Sequence, residues 1–389
     1  MSIRFGLVGV GSMGNFHLAN LKQIPALQLT AVCDIVPERA DKAAAQYDCK
    51  AFYDHRAMLR AKVCDAILIA TPHYDHTTIG IAALKAGLHV LVEKPISVHK
   101  ADCQRLIAAH TNKKQVFAAM FNQRTDPHYF KVRELVQSGE LGAVQRVNWI
   151  ITNWFRTDAY YASGDWRATW SGEGGGVLLN QCPHNLDLLQ WICGMPRLVH
   201  GFCKFGKYHT IEVEDDVTAY FEYANGATGV FITTTGEAPG TNRLEITGER
   251  GKVVVERGSI SFTRTVVNTR EYCRTSPERF VAPDTWDISI PVSGTGGQHV
   301  EILRNFAEAI EKGTPLIAPA HEGIHSVELA NAILYSTFTN APVKLPLNAA
   351  AYERQLKKLI ASSTRKAPAR STAAARKSSA NVDMSKSFA

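Results

Sequence analysis

The sequence predicts an α/β protein, with a doubly wound parallel sheet at the N-terminus followed by an α+β domain built on a mostly antiparallel sheet. Three observations carry this expectation. Short apolar runs alternate with helical patterns as far as Asn122. A G-x-G-x-x-G turn closes the first run. Beyond Asn122, strand-like runs follow one another with turn signals in place of crossover helices.

The expected parallel strands are Ile3–Val10, Leu29–Cys33, Ala51–Tyr53, Ala66–Ala70, His89–Val92 and Val116–Phe121. Their β-branched and apolar content suits strands covered on both faces. Met13–Ile24 reads as a helix ended by Pro25, and Thr77–Ala86 as one stopped by Gly87. A helix near Pro127–Gln137 leads into a strand-like run over Val144–Phe155, ending at Arg156. An aromatic, glycine-rich stretch and a helix over Pro183–Cys193 follow. Successive runs from Arg197 to Thr265, with turns at Ala224-Asn225-Gly226 and Gly248–Gly251, give the antiparallel sheet. Helical patterns return at Val300–Lys312 and Ile324–Asn340. The expected division is residues 1–122, residues 123–361, and a polar, disordered tail over residues 362–389.

The 389 residues exceed one typical core, and 45% apolar with 20% charged residues is ordinary for a soluble protein. The net charge of +7 would suggest nucleic acid if it lay on the folded part. Six basic residues (Arg365, Lys366, Arg370, Arg376, Lys377, Lys386) against Asp383 put five of those charges in the tail, which leaves +2 on the rest. No nucleic-acid groove is implied. The eight scattered cysteines form no C-x-x-C pair, which argues against a metal cluster and for a reducing compartment. No run approaches the roughly twenty apolar residues that cross a bilayer. With no leader pattern at the N-terminus, a cytoplasmic location is expected.

Gly9-Val10-Gly11-Ser12-Met13-Gly14 follows a strand and opens a helix. Gly9 permits the turn, Gly11 lets a phosphate approach the backbone, and Gly14 brings the helix close to the sheet. Asp34, twenty residues beyond Gly14, ends the second strand, where a carboxylate accepts from ribose hydroxyls and repels a 2′-phosphate. NAD is therefore expected over NADP, although Arg39 could offset the repulsion. Further candidates for cofactor contact lie at later strand ends: Thr71-Pro72, His76, Glu93-Lys94-Pro95 and Asn122. An ordinary strand-end charge pair would leave the same trace at Glu93-Lys94.

These residues resemble the Gfo/Idh/MocA (glucose–fructose oxidoreductase and inositol dehydrogenase) family. The resemblance runs from the glycine turn through Ala70-Thr71-Pro72 and Glu93-Lys94-Pro95-Ile96-Ser97. It continues to Gly174-Gly175-Gly176 and Leu178-Leu179-Asn180-Gln181-Cys182-Pro183-His184-Asn185-Leu186-Asp187, and covers about Ile3 to Ala361. It implies a Rossmann domain, a large open-faced sheet, Lys94 and His184 facing nicotinamide and substrate, a cis bond before Pro95, and dimers or tetramers through the open face. Many members carry aspartate where this chain has Asn180, which holds a hydroxyl or orients Lys94 but takes no proton.

Oxidising a secondary alcohol needs a proton acceptor while hydride leaves for the nicotinamide. His184 suits the exchange near neutrality, and Lys94 suits a base or a clamp on the alkoxide. With an amide at 180, Lys94 lacks a carboxylate that would hold its proton, so Asn180→Asp is expected to raise the upper apparent pKa of turnover. Asp187, one turn beyond His184, is equally a local hydrogen-bond partner. Trp154, Arg156, Tyr160, Tyr161, Trp166, Arg167 and Trp170 give an aromatic and cationic stretch suited to sugar rings, at least half of it expected in the core or at an interface. The arginines also suit an anionic sugar. Asn122 and Arg124 sit where the domains should meet. The expected function is NAD-dependent hydride transfer to or from a sugar, glycoside or cyclitol. The alternatives are a NAD-retaining glycoside-processing enzyme without net redox, and a non-catalytic NAD-binding regulator, against which Lys94 and His184 argue. No metal is expected.

Overall fold

The structure, a computed structural model, describes residues 2–363; from residue 364 on, the expected tail lies outside the described residues. Strands β1 (Ile3–Val8), β2 (Leu27–Cys33), β3 (Lys50–Phe52), β4 (Ala66–Ile69), β5 (His89–Val92) and β6 (Phe117–Ala119) form one sheet, in the order β3-β2-β1-β4-β5-β6. Every pairing in it is parallel. Helices α1 (Ser12–Leu21), α2 (Pro37–Tyr47), α3 (His55–Arg60), α4 (His73–Lys85) and α5 (Lys100–Ala108) join the strands. β4 is buried at all four positions, as a strand covered on both faces must be. The order reverses between β1 and β4, and the carboxyl ends of those strands open the crevice where α/β sheets take ligands.

The rest of the chain supplies α6 (Pro127–Gln137), β7 (Val144–Ile151), α7 (Asp158–Tyr161) and α8 (Pro183–Cys193). It continues with β8 (Leu198–Phe205), β9 (Glu214–Glu222), β10 (Thr228–Thr234), β11 (Asn242–Gly248), β12 (Gly251–Glu256), β13 (Ser259–Thr265), α9 (Thr269–Thr275) and β14 (Thr285–Ile290). Last come α10 (Gln298–Lys312), α11 (Gly323–Thr339), β15 (Val343–Lys344) and α12 (Ala349–Ser362). Nine strands form the second sheet, in the order β14-β13-β12-β11-β7-β10-β9-β8-β15. It is antiparallel except at β7–β10. One face packs on α8 and α11; the other carries exposed Phe202 and Tyr220. The run expected to stay extended to Arg156 leaves the sheet at Ile151. Its neighbour β11 begins at Asn242, opposite Ile151, and Gly240 presses on Thr152 and Asn153 beyond. β14 extends the sheet past the last strand that the sequence pattern announced.

The expected boundary at residue 122 is crossed by a returning segment. Ile302, Leu303, Phe306 and Ala307 of α10, with Ala318, Ala320 and Val327, belong to the core of the parallel sheet. The Phe306 ring meets Phe5 edge-on at 6.5 Å. The i, i+3, i+4 spacing of these apolar positions places one stripe of α10 on the sheet. α11 is buried nearly all round because it lies between both cores, Val327 in the first and Leu329, Ala330 and Ile333 in the second. No described helix is long and apolar enough to cross a membrane.

Candidate active site

The glycine turn has the form a dinucleotide needs. Gly9 has φ +95°, and a Cβ there would lie 2.6 Å from the Ala70 carbonyl oxygen. A Cβ on Gly14 would lie 2.0 Å from the Gly9 oxygen, so only glycine lets α1 press onto the turn. A Cβ on Gly11 would meet nothing within 4 Å. No side chain caps α1, which begins at Ser12 and Met13, and an anion over this turn would meet its leading N–H groups. Asp34 is buried at the end of β2, where it accepts from Val10 N–H at 2.8 Å and Val36 N–H at 2.9 Å. The carboxylate is thus fixed against the glycine turn, and Arg39 sits half-buried in the first turn of α2.

Thr71 and Pro72 end β4, and Glu93 and Lys94 end β5 before a cis bond to Pro95. His76 is buried between these ends, its ring nitrogens 2.8 Å from the carbonyl oxygens of Pro95 and Thr71. It ties the two strand ends together. Glu93 contacts His17 Nε2 at 2.6 Å and accepts from the Lys94 N–H at 3.0 Å. Burial works against the Glu93 charge, but the His17 hydrogen bond and the charges of His17, His299 and Lys94 together outweigh it and bring the carboxyl down to about 2.

Lys94 reaches across the crevice and donates from Nζ to the backbone oxygen of Asn180 at 2.9 Å. His184 follows one turn later, in the first turn of α8, only 3% exposed. Burial, and then the charge of Lys94, hold the His184 imidazole well below its usual range. Burial also lowers the Lys94 ammonium; Arg167 and Arg156 push the same way, while Glu93 and Glu173 oppose. Neither His184 nitrogen has a protein partner, and Thr71 Oγ1, Asn122 Oδ1 and Trp154 Nε1 are likewise buried and unsatisfied. Each such atom costs about 1–3 kcal/mol, and such groups gather where a site has a ligand to meet. The open space at Gly11, the fixed Asp34 carboxylate and these unmet donors and acceptors fit a nicotinamide dinucleotide.

Around the second half of the site, Tyr160 is the hub. Arg167 donates to its hydroxyl at 2.9 Å, and that hydroxyl donates to Asn180 Oδ1 at 3.2 Å. The Arg156 guanidinium lies 5.6 Å from the Trp154 ring centre and 5.2 Å from that of Tyr160. Trp154, Arg156, Arg167 and Asn180 therefore share one wall. Asn122, at the start of the short 3-10 turn that follows β6, donates to Gln298 Oε1 at 2.6 Å.

Two expected substrate contacts are otherwise employed. Arg124 donates to both carboxylate oxygens of Asp187 at 2.7 Å, and both side chains are about 1% exposed. Its guanidinium is enclosed in this pair, and Asp187 serves it rather than His184. Trp170 is buried against the stacked rings of Phe205 and Phe338, each 5.9 Å away, and belongs to the second core. Sequence reasoning missed Glu173. It is 2% exposed, accepts from the Asn180 side-chain amide and from Ala168 N–H at 2.6 Å, and lies 3.8 Å from Arg167. Its only trace in the sequence is a lone acid at the head of the glycine run.

Residues 3–121 match the family model described as oxidoreductase family, NAD-binding Rossmann fold, and residues 129–254 match the GFO/IDH/MocA C-terminal domain. Inositol 2-dehydrogenase of Salmonella typhimurium is 34% identical over 146 residues, which are 36% of this chain and 44% of that enzyme. The chain thus aligns with under half of that relative. Myo-inositol 2-dehydrogenase of Thermotoga maritima is 24% identical over 88% of this chain and 98% of its own. The WlbA dehydrogenase of Bordetella pertussis, solved with NADH and UDP-GlcNAcA, has a TM-score of 0.76 at 26% identity, covering 90% of this chain and 100% of that one. Levoglucosan dehydrogenase, solved with NADH and levoglucosan, shares the fold with a TM-score of 0.75 at 21% identity, over 89% and 100% of the two chains. With both halves matched in order, this chain belongs to the GFO/IDH/MocA family of oxidoreductases and carries its NAD-binding Rossmann domain.

Proposed function

We propose that this protein moves a hydride between NAD and a secondary alcohol or ketone of a sugar, glycoside or cyclitol. The observation that carries the proposal is the sealed, unpartnered imidazole of His184 one turn beyond the carbonyl that anchors Lys94. When bound, NAD supplies the hydride acceptor. The glycine turn and Asp34 hold its pyrophosphate and adenosine ribose, and Thr71, Pro72, Glu93 and Asn122 border the nicotinamide end. A neutral imidazole is a proton acceptor, so His184 takes the hydroxyl proton as the carbonyl forms. Lys94 spends one N–H on Asn180 and turns the others to the same oxygen, which stabilises its developing charge. Trp154, Arg156 and Arg167 grip the ring and its hydroxyls. The relatives named above, dehydrogenases solved with NADH and sugar ligands among them, support a polyol substrate. The apolar positions on the open sheet face, Phe202 and Tyr220, support a homodimer or homotetramer formed there, which light scattering measures.

The test is the absorbance of reduced nicotinamide with NAD and a panel of cyclitols and sugars. Turnover should fall about 10²- to 10⁴-fold in His184→Ala, the usual worth of a positioned proton acceptor, with the melting temperature held. Full activity in that variant would refute the role. Product without net reduction would replace the proposal by the cofactor-retaining alternative.

A further inference from the structure

The ammonium of Lys94 sits in a hostile setting. From every side the groups around it are Arg156 and Arg167 on the sugar wall, His73 at the start of α4, the Cys182 thiol, His184 on α8, His299 on α10, and the carboxylates Glu93 and Glu173. Glu93 is already committed, with one oxygen on His17 and the other on the Lys94 backbone N–H. The acceptor that Lys94 Nζ touches is a neutral carbonyl, that of Asn180. The side chain of that same residue donates to Glu173. Glu173 is 2% exposed, and Arg167 beside it also binds the Tyr160 hydroxyl that rests on Asn180.

We infer that Glu173 is a positioning residue, supplying through Asn180 the negative charge that keeps the Lys94 ammonium charged and aimed at the substrate oxygen. Asn180 is the coupler: its amide N–H faces the Glu173 carboxylate, its amide oxygen takes the Tyr160 hydroxyl, and its carbonyl takes Lys94. Tyr160 and Arg167 close the circuit. The charge is set one residue away from the site, where it holds Lys94 without occupying space that the sugar needs. This inference rests on the proposed role of Lys94.

The alternative is that Glu173 only pins the bend at Ala168, where φ is +54° and whose N–H it accepts. A charge transposition separates the two. Glu173→Gln removes the charge. The pair Glu173→Gln with Asn180→Asp returns it to the neighbouring position, the glutamine amide donating to the new carboxylate and its oxygen accepting from Ala168. Titration of Lys94 is read directly in the cofactor-free protein by reductive 13C-methylation and NMR, its resonance identified by its loss in Lys94→Arg. In Glu173→Gln the Lys94 pKa should fall by about one pH unit, the effect of removing one nearby opposite charge. The pair should restore it, and kcat/KM should fall about tenfold in the single variant and recover in the pair. An unmoved Lys94 titration in folded Glu173→Gln, or a lowered one in the pair, overturns the inference. If the single variant does not fold, the pair alone decides, since a wild-type titration supports the transposed charge and a lowered one refutes it. Retained turnover in Lys94→Ala would instead refute the role of Lys94 beneath it.

Discussion

Glu214 lies beneath the glycine run, one carboxyl oxygen accepting from Leu178 N–H at 3.1 Å and the other unpartnered. A Cβ on Gly176 would stand 2.0 Å from its backbone oxygen, which explains why the run needs glycine there. Burial lifts the Glu214 carboxyl from 4.5 to about 7. The folded chain therefore keeps a proton that the unfolded chain has released between those limits, so this contribution to stability is full below about pH 4.5 and lost as pH rises through about 7. Glu214→Gln should leave the unfolding free energy nearly unchanged at about pH 4 and raise it at about pH 8, by at most about 3 kcal/mol in a denaturant titration. Equal effects at both pH values would show that the carboxyl is not the titrating group. At this scale the sequence disclosed residues whose chemistry is local. Asp34, Lys94 and His184 each sit at a strand or helix end with a recognisable neighbourhood. Glu173, and the pairing of Arg124 with Asp187, could not be read, because contacts between distant segments leave no period or spacing.

Among the elements, the first turn separates folding from binding most cleanly. Gly14 is needed by the protein itself, whereas the backbone at Gly11, with φ −77°, suits any residue and a Cβ there has room. Gly11→Ala should keep an unfolding free energy within about 0.5 kcal/mol of the parent. It should nevertheless lose about tenfold or more in NADH affinity, measured by fluorescence titration, because the methyl would stand in the proposed path of the pyrophosphate. Unchanged affinity would remove the phosphate from this turn. The parallel strands were legible because burial on both faces writes continuous apolar runs, and α8 was legible to the residue because Pro183 opens it and Gly194 closes it. The end of β7 and the existence of β14 were not, since both depend on which partner strand lies alongside.

Over the whole molecule, the two cores are fastened by a buried ion pair. Lys100, at the start of α5, donates from Nζ to Glu328 on α11 at 2.6 Å and to the Leu347 carbonyl at 2.9 Å, while its N–H donates to Asn331 at 2.9 Å. Glu328 also accepts from Leu347 N–H at 2.7 Å. Glu328→Ala leaves a buried ammonium uncompensated and should cost about 3–5 kcal/mol in a denaturant titration. A loss under about 1 kcal/mol would show that the pair does not fasten the cores. The α/β class and the change of grammar after Asn122 were visible in sequence. The return of α10 to the first core was not, because an amphipathic helix does not say which sheet it covers.

That return has a consequence for how the protein is made. A ribosome releases β1–β6 well before Gln298, so the nascent parallel sheet waits with one flank bare for nearly half of the chain's synthesis. A product truncated ahead of α10 lacks Phe306 and its neighbours, and it is expected to become a client for chaperones and proteases instead of a small dinucleotide-binding protein in its own right.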